Sequence, residues 1–141
     1  MNNNQKQKIP KNDDEFKEKL SEDAYSVARL GGTEPPYSGK YVFENEKGMY
    51  KCAVCGRELF SSDVKLDSSK GPAGLQGWPS FADAIPGAVK FKEDNSFGMR
   101  RTEVSCANCG SHLGHIFDDE HSSTGKHYCI NSVCLEFLEN Q

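Results

Sequence analysis

Cys106-Ala-Asn-Cys109-Gly-Ser-His112-Leu-Gly-His115-Ile-Phe-Asp-Asp119, followed shortly by Thr124-Gly-Lys-His127-Tyr-Cys129-Ile-Asn131, is the stretch on which the reading of this chain turns. Extended to Phe137 it holds four of the six cysteines and all four histidines. Thiolates and imidazoles bind soft metals and move protons near neutral pH, so their crowding points to chemistry rather than packing. His112 to Phe117 and His127 to Phe137 are also short β-branched or aromatic runs, the pattern of strands.

Upstream, Cys52-Ala-Val-Cys55-Gly56 repeats the form of Cys106-Ala-Asn-Cys109-Gly110. Two such turns offer four thiolates to one tetrahedral ion, with zinc the expected metal. The glycine after each pair suits a knuckle in which the chain needs positive φ. Four buried thiols without metal are the competing account, and a single Cys-x-x-Cys also serves redox exchange; the repeated glycine weighs for the metal. Fifty residues separate Cys55 from Cys106, far more than the ~15–20 of a short zinc ribbon. The ion would therefore tie distant strands together, and with no open coordination position the site would be structural.

The rest of the chain also reads as β. After Thr33-Glu-Pro-Pro-Tyr-Ser-Gly39, strands are expected at Lys40–Phe43, Gly48–Cys52, Glu58–Phe60, Val89–Glu93 and Met99–Ser105 as well. Phe16 and Leu20 share one helical face, and Ser21 can cap a second short helix carrying Tyr25, Val27 and Ala28 before Gly31-Gly32. Lys70–Gly77 reads as a flexible loop and Phe81–Ala84 as a helical turn.

A chain of 141 residues, 35% of them hydrophobic, suits one domain, expected over residues 13–141 after a disordered polar tail at 1–12. A monomer is expected. The net charge of −4 and the absence of a basic stripe argue against nucleic acid. No apolar run approaches the ~18 residues of a membrane span or forms a signal peptide, so a cytoplasmic protein without membrane contact is expected. In that reducing compartment cysteines serve as metal ligands or reactive thiols rather than disulfides.

Two cysteines remain outside the repeat. Alternation puts His127, Cys129 and Asn131 on one polar face of a strand. A buried structural cysteine and a nucleophile held by neighbouring imidazoles stand level there. Val133, Leu135 and Phe137 share the parity of Cys129, so either a bulge near Asn131-Ser132 resets it or the strand is covered on both faces. Cys134 reads as packing. With four cysteines completing a tetrahedron, His112 and His115 read as site-lining acid, base or donor, and His121 as a solvated loop residue. Trp78, the only tryptophan, is either core or the aromatic wall of a cleft.

Thr33–Gly39, Tyr50–Phe60, Gly77-Trp-Pro-Ser-Phe81, Cys106–Asp119 and Tyr128–Ser132 together resemble the peptide methionine (R)-S-oxide reductases, the B class of methionine sulfoxide reductases, over about Phe16 to Phe137. The resemblance implies a mainly β fold of two antiparallel sheets with short peripheral helices near the N-terminus. It implies one structural zinc on Cys52, Cys55, Cys106 and Cys109, and Cys129 as the nucleophile. Trp78 would hold the substrate methyl group, His112 and His115 would bind and protonate the sulfoxide oxygen, and Asp119, His127 and Asn131 would support them. Attack would reduce methionine-R-sulfoxide, in oxidised proteins or free, to methionine and leave a sulfenic acid on Cys129, restored by thioredoxin or another thiol. The alternative is a zinc-ribbon binding module without catalysis. Two features depart from the family: His127 stands where Arg is usual, and Asp67–Gln76, longer than the usual loop, lacks the resolving cysteine many members carry.

Overall fold

The computed structural model describes Ile9, residues 12–69 and residues 74–140. The expected tail over 1–12, apart from Ile9 and Asn12, and residues 70–73 of the expected loop at 70–77 lie outside the described residues. Helix α1 (Asp13–Lys19) starts where the Asn12 side chain accepts the Glu15 N–H, and α2 (Glu22–Ala28) where Ser21 accepts that of Ala24. Phe16, Val27 and Ala28 are buried, one apolar stripe per helix. Arg29 stacks its guanidinium 4.0 Å from the Phe16 ring and donates to Ser111 Oγ, pinning both helices to the sheet. No described helix is long and apolar enough to cross a membrane.

Nine strands follow among the described residues: β1 (Gly48–Cys52), β2 (Glu58–Ser61), β3 (Lys65–Leu66), β4 (Ser80–Phe81), β5 (Val89–Asp94), β6 (Arg101–Cys106), β7 (His112–Asp118), β8 (Lys126–Ile130) and β9 (Leu135–Glu139). They form two antiparallel sheets, ordered β2-β1-β9 and β3-β4-β8-β7-β6-β5. Tyr50 and Phe60 of the small sheet meet Phe81 of the large one at ring distances of 5.1 and 4.5 Å, and Phe60 meets Tyr128 at 5.7 Å. These aromatic contacts join the sheets, with Leu59, Val104, Leu113 and Ile130 fully buried around them.

Phe81 pairs with Tyr128 and Tyr128 with Ile116, so these residues share the core face of the large sheet. Ser80 pairs with Cys129, Cys129 with His115, and His115 with Glu103, so this second row crosses the opposite face. The polar face expected around Cys129 is therefore real, and it runs over four strands.

Three expectations need correction. Lys40–Phe43 is a turn: Tyr41 and Val42 are consecutive and both buried, which a pleated strand with one covered face cannot provide. Phe81–Ala84 is not a helical turn, because Ser80 and Phe81 pair as β4 between β3 and β8. His127–Phe137 is not one strand, because a 3-10 turn at Ser132–Cys134 divides it and sends β9 to β1 in the other sheet. The divider is Glu34, whose buried carboxylate accepts the Ser132 and Val133 N–H groups at 2.9 and 3.0 Å. Parity is reset at the expected place, by a turn and a change of sheet rather than a bulge. Cys134 is buried, as expected of packing, with its thiol donating to the His112 carbonyl at 3.2 Å. His121 is exposed, as expected of a solvated loop.

Candidate active site and metal centre

The two Cys-x-x-Cys-Gly turns fold alike. Gly56 N–H donates to the Cys52 carbonyl and Gly110 N–H to that of Cys106, both at 2.8 Å, and the two glycines have φ of 80° and 79°. These are the left-handed positions that the repeated glycine anticipates. Cys52 Sγ lies 3.7 Å from Cys109 Sγ and Cys55 Sγ 3.6 Å from Cys106 Sγ, with all four sulfurs within 4.8 Å of one another. Four ligands ~2.3 Å from a tetrahedral centre stand about 3.8 Å apart. The spacing thus fits a metal ion, which these four cysteines are able to hold. Because Cys52 ends β1 and Cys106 ends β6, a bound ion links the two sheets.

On the polar face, Cys129 opens onto a cavity of about 70 Å³ that it shares with Trp78, His115, Asn131, Thr33, Leu75, Arg101 and Phe117. Gly114 floors it, since a side chain there would run into the Cys129 carbonyl of the adjacent strand. Trp78 is held in place by its Nε1–H, which donates to the Glu34 carbonyl at 2.8 Å. Asn131 accepts the Glu34 N–H at 3.0 Å and donates to the Leu113 carbonyl at 2.9 Å. The cavity's Trp and Asn are thus both fixed by one buried acidic residue near the N-terminal end of the fold. The Cys129 thiol donates weakly to the Leu75 carbonyl at 3.9 Å. Burial, and then the Glu34 charge, push the thiol up to about 12, so at rest it is protonated.

His112 and His115 are three apart, so on a regular strand they would point to opposite faces. A register shift between Val104 and Ser105, which pair with Gly114 and His112, leaves Leu113 as an extra residue and turns both imidazoles to the same side. Their ring centroids stand 5.5 Å apart. His115 Nε2 meets Asp94 Oδ2, and His112 Nδ1 meets Glu103 Oε2, each at 2.7 Å. Burial pushes His115 down, while its hydrogen bond holds Asp94 below the usual carboxylate range. A neutral His115 donating to an ionised Asp94 satisfies both shifts and keeps its second nitrogen free. His112 Nε2 is likewise buried without a protein partner.

Asp119 and His127 are not in the cavity lining; they pair behind it. His127 is 1% exposed, with Nδ1 3.0 Å from Asp119 Oδ2 and Nε2 2.9 Å from Ser80 Oγ. The Ser80 hydroxyl in turn donates to the Trp78 carbonyl at 2.9 Å. His127 is thus bonded on both sides, to Asp119 and to Ser80, and through Ser80 it is linked to Trp78. The sequence reading missed Arg101, Asp94, Glu103 and Glu34. Only Arg101 lies in the lining; the carboxylates look in sequence like any solvated strand face or loop.

Fold and site together define a two-sheet β protein with an imidazole-flanked cysteine cavity and a four-cysteine metal knuckle. A model of the SelR domain matches residues 20–139, and the chain belongs to that family. It is 51% identical to the peptide methionine sulfoxide reductase MsrB of Methanosarcina barkeri over 130 residues, 92% of this chain and 87% of that protein. It is 46% identical to the Thioalkalivibrio sulfidiphilus protein of the same name over 97% of this chain and 96% of that one. To the methionine-R-sulfoxide reductase B3, mitochondrial, of Mus musculus it is 47% identical over 124 residues, 87% of this chain and 47% of that protein.

Proposed function

We propose that this chain reduces methionine-R-sulfoxide, in oxidised proteins and as the free amino acid, to methionine. The observation that carries the reading is the Cys129 thiol opening into a small cavity beside Trp78 and directly across from His115. Trp78 and Phe117 provide an apolar seat for the S-methyl group. Cys129 gives its thiol proton to the free nitrogen of His115, and that proton passes on to the sulfoxide oxygen as the Cys129 sulfur attacks the sulfoxide sulfur, with His112 beside it. The oxygen and that proton end on Cys129 as S–OH; the methionine sulfur gains two electrons and the Cys129 sulfur loses two. Asn131 holds the β8 end of the cavity. Asp119 and His127 hold β8 and, through Ser80, Trp78. A binding module without catalysis has no use for the cavity that Cys129, His115 and Trp78 share.

Zinc is the metal we assign to the knuckle, because four thiolates in a closed tetrahedron suit it. It supplies a cross-link between the sheets and takes no part in the reaction. All six thiols are unpaired, which suits a reducing compartment, and we assign the cytoplasm.

Regeneration falls to an external thiol. Of the other cysteines, four form the knuckle and Cys134 is buried in the core. An incoming thiol condenses with the sulfenic acid, releasing water and leaving a mixed disulfide that a second thiol, such as that of thioredoxin, resolves. One equivalent of the R diastereomer without reductant should yield one equivalent of methionine and a Cys129 adduct with a sulfenic-acid trap, while the S diastereomer is untouched. A Cys129–Cys134 disulfide in native protein would overturn the regeneration route, and equal consumption of both diastereomers the substrate assignment.

The resting thiol gives a pH prediction. The thiolate fraction of a thiol pushed up to about 12 falls tenfold for each pH unit below that value. Iodoacetamide labelling of Cys129 should therefore rise about tenfold per unit from pH 7 to 9. A plateau near pH 7 would show a preformed thiolate instead.

A further inference from the structure

Among the described residues two non-glycines have positive φ, Tyr37 at 63° and Phe97 at 57°. Both are aromatic and face solvent, at 50% and 88% exposure. A bulky side chain on left-handed backbone is strained, and such strain persists only where the surroundings hold it, commonly at ligand clamps.

Neither residue lines the cavity, but each is tied to a neighbour of a residue that does. Tyr37 N–H donates to the Gly77 carbonyl at 2.7 Å, and Pro36 and the Tyr37 ring together would crowd a side chain at Gly77. The next residue is the cavity's Trp78, and Tyr37 also stacks on exposed Phe43 at 6.0 Å. Across the sheet, Phe97 sits in the 3-10 turn Ser96–Gly98 between β5 and β6. Ser96 N–H donates to the Asp94 carboxylate, and the cavity's Arg101 reaches Ser96 Oγ at 3.5 Å.

The cavity of about 70 Å³ is far smaller than the ~300–1,000 Å³ of a pocket that encloses a small molecule, so it takes the sulfoxide end of a side chain and leaves the rest of the substrate on the rim. Trp78 precedes β4 and Arg101 begins β6, with β8 and β7 between. Three strand spacings of about 4.8 Å separate those walls by roughly 14 Å, the length of about four extended residues.

We propose that Tyr37 and Phe97 form two apolar jaws that dock the polypeptide on either side of an oxidised methionine, favouring large apolar residues flanking it. This rests on the function proposed above.

The test uses the full chain with excess small dithiol and two substrates, a peptide whose central methionine-R-sulfoxide is flanked by leucines and N-acetylmethionine-R-sulfoxide. Tyr37→Asn and Phe97→Asn remove the rings while keeping a residue that tolerates left-handed backbone. Each should lower kcat/KM for the peptide about tenfold and leave that for the small substrate within about twofold. Equal losses on both substrates, or no loss on either, would overturn the jaws. So would a loss seen only when a protein dithiol replaces the small one, which would assign the surface to the reductant. Wild-type protein that turns over neither substrate would instead overturn the proposed function.

Discussion

Replacing Cys129 with serine is expected to abolish turnover of methionine-R-sulfoxide, by roughly 10⁴-fold or more, while leaving the fold intact. Serine fills almost the same volume, but its hydroxyl is neither comparably nucleophilic nor able to carry the oxygen away as a sulfenic acid. The structural cost is small. The thiol's hydrogen bond is the long contact to Leu75, and the side chain is half-buried at a cavity rather than packed in the core. A stability change within about 1 kcal/mol is expected. Steady-state assay beside thermal unfolding checks both halves. Retained turnover in the folded variant would remove Cys129 as the nucleophile, and an unfolded variant would make it the structural cysteine that the sequence also allowed.

Loss of the metal is expected to unfold the protein. The knuckle joins the end of β1 to the end of β6, so its four ligands come together only when both sheets are assembled. A structural zinc site contributes ~10–16 kcal/mol of binding energy that is also folding energy. Domains of this size have net stabilities of only about 5–15 kcal/mol, so the site's contribution rivals the whole. Elemental analysis should find one zinc per chain, and Cys106→Ser or a strong chelator should remove the cooperative thermal transition. Metal-free protein that still unfolds cooperatively near the original temperature would refute this. Activity should fall with the fold, because β6 carries Glu103 and Arg101 and β7 continues from the second knuckle into His112.

The sequence was most legible where chemistry demands a fixed local pattern. The doubled Cys-x-x-Cys-Gly announced a knuckle because two-residue spacing and a left-handed glycine are requirements of the turn itself. Short aromatic or β-branched runs between turn residues marked β1, β2, β5, β6 and β7 with small errors at their ends, and the Phe16 and Leu20 face and the Ser21 cap marked α1 and α2. Alternation also put Cys129 on a polar face. The parity conflict at Asn131-Ser132 was a true signal of a break, visible because core residues on either side disagreed about which face was inside.

What remained hidden depends on partners far along the chain. Lys40–Phe43 has strand-like composition but buries two consecutive residues, a fact set by what packs against it. The kind of break after Asn131 is decided by Glu34, 98 residues before Ser132, whose carboxylate captures two backbone amides. His112 and His115 face the same side only because pairing with β6 leaves Leu113 as an extra residue. Asp94 and Glu103 hold those imidazoles only because β5 and β6 bring them alongside. The sequence by itself determined the knuckle, the β character and the polar face that carries Cys129, since these follow from residue types and their spacing. Tertiary structure alone decided which carboxylates hold which histidines and how the chain crosses between sheets, because hydrogen bonds between distant strands leave no periodic trace in the order of residues.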